Sequence, residues 1–253
     1  MDRDRLRGVR DGMRIWVARP EPGATRTGAR LATLGHRPLV APVLTVRPTG
    51  ARLPGDAFAG LILTSANAVT ALEPEDCARL RTVPTFAVGS RTAALARAAG
   101  FADVREAAGE ATSLARLVAA SLPPGARLLH AAGAERKAEP AAALVAAGFR
   151  LTVQDVYAAT AAARLPGAVA EGLGHGGLDA ALHYSRRSAQ VAHDLASAEG
   201  LGGAFAALTH YCLSADVAVP LVAAGVAVHF VAERPGEDAL FAGLPAPGPT
   251  GLR

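Results

Sequence analysis

Two α/β lobes, each a parallel sheet flanked by helices, joined by a two-stranded antiparallel linker, are the fold this sequence predicts. Three observations carry that expectation. Short apolar runs alternate along the chain with stretches of helical length, which calls for parallel strands and right-handed crossovers. Glycines stand where left-handed helix C-caps are expected, at Gly35, Gly100, Gly148 and Gly225. The chain also repeats itself. FAVGSRTAALARAAG, Phe86 to Gly100, aligns with YCLSADVAVPLVAAG, Tyr211 to Gly225. LILTSANAV, Leu61 to Val69, aligns with ALHYSRRSA, Ala181 to Ala189, placing Ser65 on Ser185, and RIWVARP, Arg14 to Pro20, falls on RLLHAAG, Arg127 to Gly133. The order X, Y, X′, Y′ implies two similar lobes.

Taken in order, Met13 to Ala18 reads as the first strand, ended by Arg19-Pro20, with a helix from Ala24 to Leu34 and a second strand from Pro38 to Ala41. VLTVRPT after Pro42 is extended and β-branched, a connector strand. Leu61 to Thr64 is a strand, with Ser65 and Asn67 as cap candidates for a helix that Pro74 interrupts or restarts. Phe86 to Val88 is a buried strand end, Gly89 a sharp turn, Ser90 a good N-cap and Ala102 to Arg105 a short strand. A helix from Glu110 to Ser121 precedes the Pro123-Pro124-Gly125 turn. Strands Arg127 to Ala131 and Arg150 to Val153 flank a helix from Ala138 to Ala147. DVYAAT, Asp155 to Thr160, is extended and pairs with Val43 to Val46 as the linker. The last third reads as strand Leu178 to Tyr184, a helix from Ser188, strand Ala207 to Cys212, a helix to Ala224, a last strand Val226 to Val231 and a closing helix Glu237 to Leu244. The start, MDRDRLRGVRDG, is expected to be a frayed arm and PAPGPTGLR a disordered tail.

Composition bounds the function. At 253 residues and 51% hydrophobic content the chain can bury one or two cores, built from Leu, Val and Ala because aromatics are only 4%. The net charge of +4, carried almost wholly by arginine, suits an acidic ligand. Scattered arginines without interleaved aromatics exclude a nucleic-acid signature. Cys77 and Cys212, in no metal or redox spacing, imply a reduced, cytoplasmic chain. There is no apolar core of a signal peptide, and the longest apolar run, Val217 to Ala232, falls short of the roughly 20 residues of a bilayer span, so no membrane segment is expected.

A strand that feeds a helix leaves unpaired N–H groups at the helix start, outside the carboxyl edge of the sheet, where anions bind. Each copy of the repeat supplies such starts. The letter match Gly172 to Gly177 to G-x-G-x-x-G precedes a strand instead of following one, and reads as a flexible loop. The seven histidines form no metal-spaced cluster, His183 and His210 read as partly buried packing residues, and no G-x-S-x-G elbow exists.

Six segments in order and spacing, VARPEPGA, LILTSANAV, FAVGSRTAALARAAGF, VQDVYAAT, LHYSRRSA and VAERPGEDAL, resemble the uroporphyrinogen-III synthase family over nearly the whole chain from Met13 to Leu244. The resemblance implies two flavodoxin-like lobes. The first would be residues 1–42 plus 160–253, the second 47–153, with 43–46 and 154–159 as linker strands. It also implies a cofactor-free monomeric lyase acting on hydroxymethylbilane, a linear tetrapyrrole polycarboxylate, and leaves open a transient contact with hydroxymethylbilane synthase. If both lobes turn their carboxyl edges to one cleft, the residues expected to meet substrate are Arg19, Thr64, Ser65, Gly89, Ser90, Arg91, Thr92, Gly133, Arg136, Lys137, Ser185, Arg186, Arg187, Ser188, Ser214 and Ala215. Tyr157, matching the tyrosine of the family's connector, is the candidate catalytic residue, donating to the departing hydroxyl; a tyrosine packing a hinge is the competing reading. One departure stands out. Ser214, Ala215, Asp216 and Val217 replace a Gly-x-Thr-Thr-like turn, removing a hydroxyl and adding a negative charge. A low-activity homologue, a two-lobed binding protein for an acidic ligand and a nucleotide-sugar transferase are the rival readings, the last without a phosphate loop to support it.

Overall fold

The computed structural model describes residues 12–136 and 138–246. The expected frayed arm, except Gly12, and the tail from residue 247 lie outside the described residues. In chain order the strands are β1 (Arg14–Val17), β2 (Arg37–Val40), β3 (Leu44–Pro48), β4 (Gly60–Leu63), β5 (Thr85–Ala87), β6 (Val104–Glu106), β7 (Arg127–Gly133), β8 (Arg150–Ala161), β9 (Ala180–His183), β10 (Thr209–Cys212) and β11 (Phe230–Val231). The helices are α1 (Gly23–Thr33), α2 (Ala66–Thr70), α3 (Pro74–Arg79), α4 (Ser90–Ala98), α5 (Ala111–Ser121), α6 (Ala141–Ala146), α7 (Gly167–Gly174), α8 (Arg186–Ala198), α9 (Gly202–Ala206), α10 (Ala215–Ala223) and α11 (Glu237–Phe241).

They form two compact units. One comprises the chain up to Thr45 and from Thr160 onward, and the other is Val46–Ala159. The first holds a five-stranded sheet ordered β11-β10-β9-β1-β2, all parallel. The second sheet is ordered β3-β8-β7-β4-β5-β6 and is parallel from β8 to β6. β3 lies at its edge and runs antiparallel to β8, since Thr49 N–H donates to Val156 C=O while Ala162 N–H donates to Val43 C=O. The repeat maps one sheet on the other: β1 and β2 correspond to β7 and β8, and β9 to β11 correspond to β4 to β6. Each sheet therefore mixes an early with a late repeat.

The strands read as unbroken apolar runs because both faces are covered. Alternate residues of β1 go to opposite layers: Trp16 joins Val169, Phe205 and Leu221 on one face, and Ile15 and Val17 join Leu31, Leu182 and Phe241 on the other. In the second unit Leu61, Leu63 and Leu129 pack under α2 and α4, while Ile62, Phe86 and Leu128 pack under α5 and α6. The indole Nε1–H of Trp16, fully buried, donates to Ala41 C=O at 2.8 Å, so its burial leaves no orphaned donor. α4 and α10 end alike. Gly100 (φ +94) and Gly225 (φ +73) take the left-handed conformation while the next residue's N–H reaches back to Ala96 and Leu221, a closure an L side chain would strain.

Several elements differ from expectation. Ser90 is the first helical residue and Gly89 the N-cap of α4, without a side-chain bond. Arg150 to Ala161 is one twelve-residue strand, because β7 and β3 pair with its two halves and leave no reason for a break at Gln154. The last strand shrinks to Phe230–Val231, and α6 starts three residues later than expected, capped by Pro140. Gly172 to Gly177 is no flexible loop: it ends α7, and Gly177 N–H closes on Gly172 C=O at 2.7 Å. α7 and α9 escaped the sequence reading because their glycines mask the helical period.

His183 and His210 are fully buried, not partly buried. Phe205 C=O can only accept, so His210 Nε2–H donates to it at 2.9 Å, and His210 Nδ1 in turn accepts from His183 Nε2–H at 2.9 Å. The chain of bonds requires His210 to be neutral, and burial holds both rings so, pushing His183 down to about 3 and His210 to about 4. A folded-state value below the ordinary 6.5 means that stability is intact above that pH. It is lost on acidification, as the unfolded chain takes up protons the folded one refuses. Urea unfolding should show stability falling from about pH 6.5 to about pH 5, above the ordinary carboxylate range, with a shallower fall in a chain carrying His183→Leu and His210→Leu. An unchanged slope in that variant would clear the pair of responsibility.

Candidate active site

In open parallel sheets ligands gather outside the carboxyl ends of the strands where the strand order reverses. In the first unit that point lies between β1 and β9, in the second between β7 and β4.

In the first unit, Arg19 follows β1 and Tyr184 follows β9. The guanidinium of Arg19 sits 4.0 Å over the Tyr184 ring and lies so close to Gly23 that a Cβ there would be 2.6 Å from Nε. Arg19 Nη1 donates to Thr27 Oγ1 at 3.3 Å and approaches Glu237 Oε1 at 3.4 Å. Glu237, from α11, also accepts from Thr27 Oγ1–H at 2.5 Å, Tyr184 O–H at 2.7 Å and Arg30 Nη1 at 2.6 Å. Although burial alone would raise it, these donors hold the Glu237 carboxyl below its usual range, and burial pushes the Tyr184 phenol above its own. Arg19, expected as a cation for the ligand, is already neutralised: the cluster pins the closing helix to the end of β1.

Beside it, Ser185 caps α8, its Oγ accepting from Ser188 N–H at 3.2 Å and bonding Ser188 Oγ at 2.9 Å. Ser188 is buried, so its hydroxyl belongs to the cap. Arg186 is exposed, 3.8 Å from Asp216, and Arg187 is half-buried. Ser214 caps α10 through its backbone with no side-chain bond, and Ala215 is exposed on the first turn. Val217 is buried among the first unit's apolar side chains, and Thr92, its counterpart in the other copy, is also buried. The hydroxyl missing at Val217 thus falls at a core-facing position, and the turn keeps its backbone donors.

In the second unit, Ser65 Oγ accepts from Asn67 N–H at 3.1 Å as the cap of α2, and Thr64 bonds His130 Nε2 at 3.1 Å. Gly89, Ser90 and Arg91 form the start of α4, with Ser90 and Arg91 exposed. The β7–β8 ladder shifts register at Ala132/Gly133, so Gly133 stands opposite Tyr157 with Val156 as the extra residue. The Tyr157 ring lies on Gly133, where a Cβ would be 2.7 Å from Cζ. The ring also packs at the edge of the Leu53, Phe58 and Val156 cluster, while its hydroxyl has no hydrogen-bond partner among the described residues. Arg136 folds back onto Gly133 C=O at 2.8 Å and pairs with Asp155. Lys137 lies outside the described residues. Among the described residues no cluster of His, Cys, Asp and Glu could hold a metal ion, and no helix is long and apolar enough to cross a membrane.

A family model described as uroporphyrinogen-III synthase HemD matches residues 25–242. The chain belongs to the uroporphyrinogen-III synthase family. As a member, it is a cyclising lyase of tetrapyrrole biosynthesis. The uroporphyrinogen-III synthetase of Helicobacter pylori superposes with a TM-score of 0.60 at 16% identity, covering 91% of this chain and 97% of that one. A methionine-substituted uroporphyrinogen III synthase of Thermus thermophilus gives 0.51 at 18% identity, covering 92% and 97%. At these identities the likeness shows the shared fold. No curated protein matches the chain by sequence.

Sequence reasoning missed His130, Thr27, Glu237 and Asp155 as members of these edges in a uroporphyrinogen-III synthase. His130 had a signal, a polar residue in the apolar run RLLHAAG. Glu237 had none, since only the fold brings α11 to β1. Because Glu237 serves several donors, Glu237→Ala should destabilise the protein by about 1–3 kcal/mol in urea unfolding, the range for stranding part-buried hydrogen-bond partners. A change under about 0.5 kcal/mol would reduce the cluster to a surface ion pair.

Proposed function

We propose that this chain makes uroporphyrinogen III from hydroxymethylbilane. The observation that carries this reading is the family match over residues 25–242. The duplicated carboxyl edges support it, with their helix starts, hydroxyls and arginines suited to a substrate rich in carboxylates. Exposed ion pairs contribute about 0–1 kcal/mol each, so binding is the sum of many contacts, backbone donors included.

The substrate loses its terminal hydroxyl as water, leaving an electrophilic azafulvene. The substituted carbon of the last pyrrole attacks it to give a spiro intermediate, which fragments and recloses with that ring inverted. The azafulvene also closes unaided to the uninverted isomer, so the protein's task is to favour one conformer. Orientation can supply roughly 7–11 kcal/mol at most. Tyr157 donates its O–H to the departing hydroxyl; a phenol whose ring is held against Gly133, with the O–H unspent, supports that role. Thr64, Ser65, Gly89 to Arg91, Gly133, Ser185 to Arg187, Ser214 and Ala215 bind carboxylates, while Arg19, Arg136, Thr92 and Ser188 act as supports. We take the working form to be a cytoplasmic monomer that receives its unstable substrate by transient contact with hydroxymethylbilane synthase.

Hydroxymethylbilane freshly made by the preceding enzyme should yield type III porphyrin above background when the isomers are separated. Type I alone would leave a binding protein or a decayed copy. Tyr157→Phe should lower the type III rate about 100-fold, within the span of a lost general acid; an unchanged rate would return Tyr157 to the role of packing its strand.

A further inference from the structure

His130 sits in the middle of β7, 2% exposed, and the one hydrogen bond its ring makes among the described residues runs to the carboxyl edge. Its Nε2 lies 3.1 Å from Thr64 Oγ1, at the end of β4 and hence at the second unit's switch point. Its other nitrogen, Nδ1, is buried with no hydrogen-bond partner among the described residues. A neutral imidazole carries one proton, and two tautomers are open to it. With the proton on Nδ1, a buried N–H would have no acceptor, which folded proteins avoid more strictly than an under-used lone pair. With the proton on Nε2, the N–H meets the threonine oxygen and only a lone pair is left bare. Burial keeps the ring neutral, pushing it down to about 4, with Arg136 adding to the effect and Asp155 opposing it.

We infer that His130 is a positioning residue which, by donating Nε2–H to Thr64 Oγ1, leaves the threonine O–H free to donate to a carboxylate of the substrate. A hydroxyl left to itself can accept as well as donate, and so tolerates ligand donors and acceptors alike. Here one of the two accepting lone pairs is taken by His130 inside the sheet, which biases the hydroxyl toward donating. The proton has no other acceptor among the described residues, so it is available at the half-buried edge. Such a hydroxyl favours an anionic acceptor over a neutral donor, the right discrimination for a substrate whose peripheral groups are acids. The ligand class rests on the function proposed above; the direction of the His130–Thr64 bond does not.

The test has two independent arms. Nitrogen-15 spectra of the wild-type protein at neutral pH, with His130 assigned by comparison with His130→Gln, should give a protonated Nε2 and a bare Nδ1. A protonated Nδ1 overturns the inference, whatever the enzyme's activity. In the kinetic arm, Thr64→Val should raise KM for hydroxymethylbilane about tenfold with a smaller change in kcat, as for loss of one charge-assisted bond. Thr64→Ser should restore it. His130→Leu should raise KM to a similar extent, and the double variant His130→Leu/Thr64→Val no further. Fully additive effects, or an unchanged KM in a folded Thr64→Val, overturn the coupling. A wild type that forms only the type I isomer would sink the proposed function while the spectra still decide the direction of the bond.

Discussion

Everything in this molecule depends on the burial of both faces of its parallel sheets. Parallel strands need a crossover between each pair, and the crossover helices cover the faces. Once covered, the sheet leaves only its edges and ends to solvent. The helices that directly follow a strand then begin at the carboxyl end, and their first N–H groups collect there. The site is therefore a by-product of the packing. Ser65, Gly89, Ser185 and Ser214 cap helices at equivalent ends of the two copies because the same strand-turn-helix unit was used in each. Two caps keep a serine side-chain bond, while the others spend only backbone.

Much of this was legible in the sequence. Apolar runs and closing glycines marked β1, β4, β7 and β9 and the ends of α4 and α10, since those positions answer to local rules: burial on two faces and a left-handed cap. The alignment of FAVGSRTAALARAAG with YCLSADVAVPLVAAG foretold two similar sheets. What remained hidden was non-local. The register shift at Gly133 that brings Tyr157 over it depends on how β8 is gripped from both sides. Glycine-rich α7 and α9 hold helical form through packing by Leu173 and Phe205, which outweighs weak propensity.

The edges also show how position in the fold decides what a charge does. Arg19 was the arginine expected at the carboxyl end of the first strand, yet Tyr184, Thr27 and Glu237 absorb it into a brace. Arg136 is similarly bent onto its own turn by Asp155 and Gly133. Arginine count alone therefore overstates what is free to meet an acid. The hydroxyl of Tyr157 is instead freed by geometry, its ring held by contact with a glycine while the oxygen bonds nothing among the described residues.

The mixed ancestry of the sheets sets an order of assembly. The second unit, Val46–Ala159, is continuous in the chain, so all of its strands have been made when Ala161, the end of β8, leaves the ribosome. The first unit is different: β1 and β2 come early, but their partner β9 comes only with Ala180, and Arg14 N–H waits for the Asp179 carboxylate at 2.7 Å. During that interval a two-stranded fragment with an apolar Ile-Trp-Val edge has no neighbour to cover it. Synthesis thus exposes the amino-terminal segment to chaperones and to misassembly for longer than any other part, with the middle of the protein closing first.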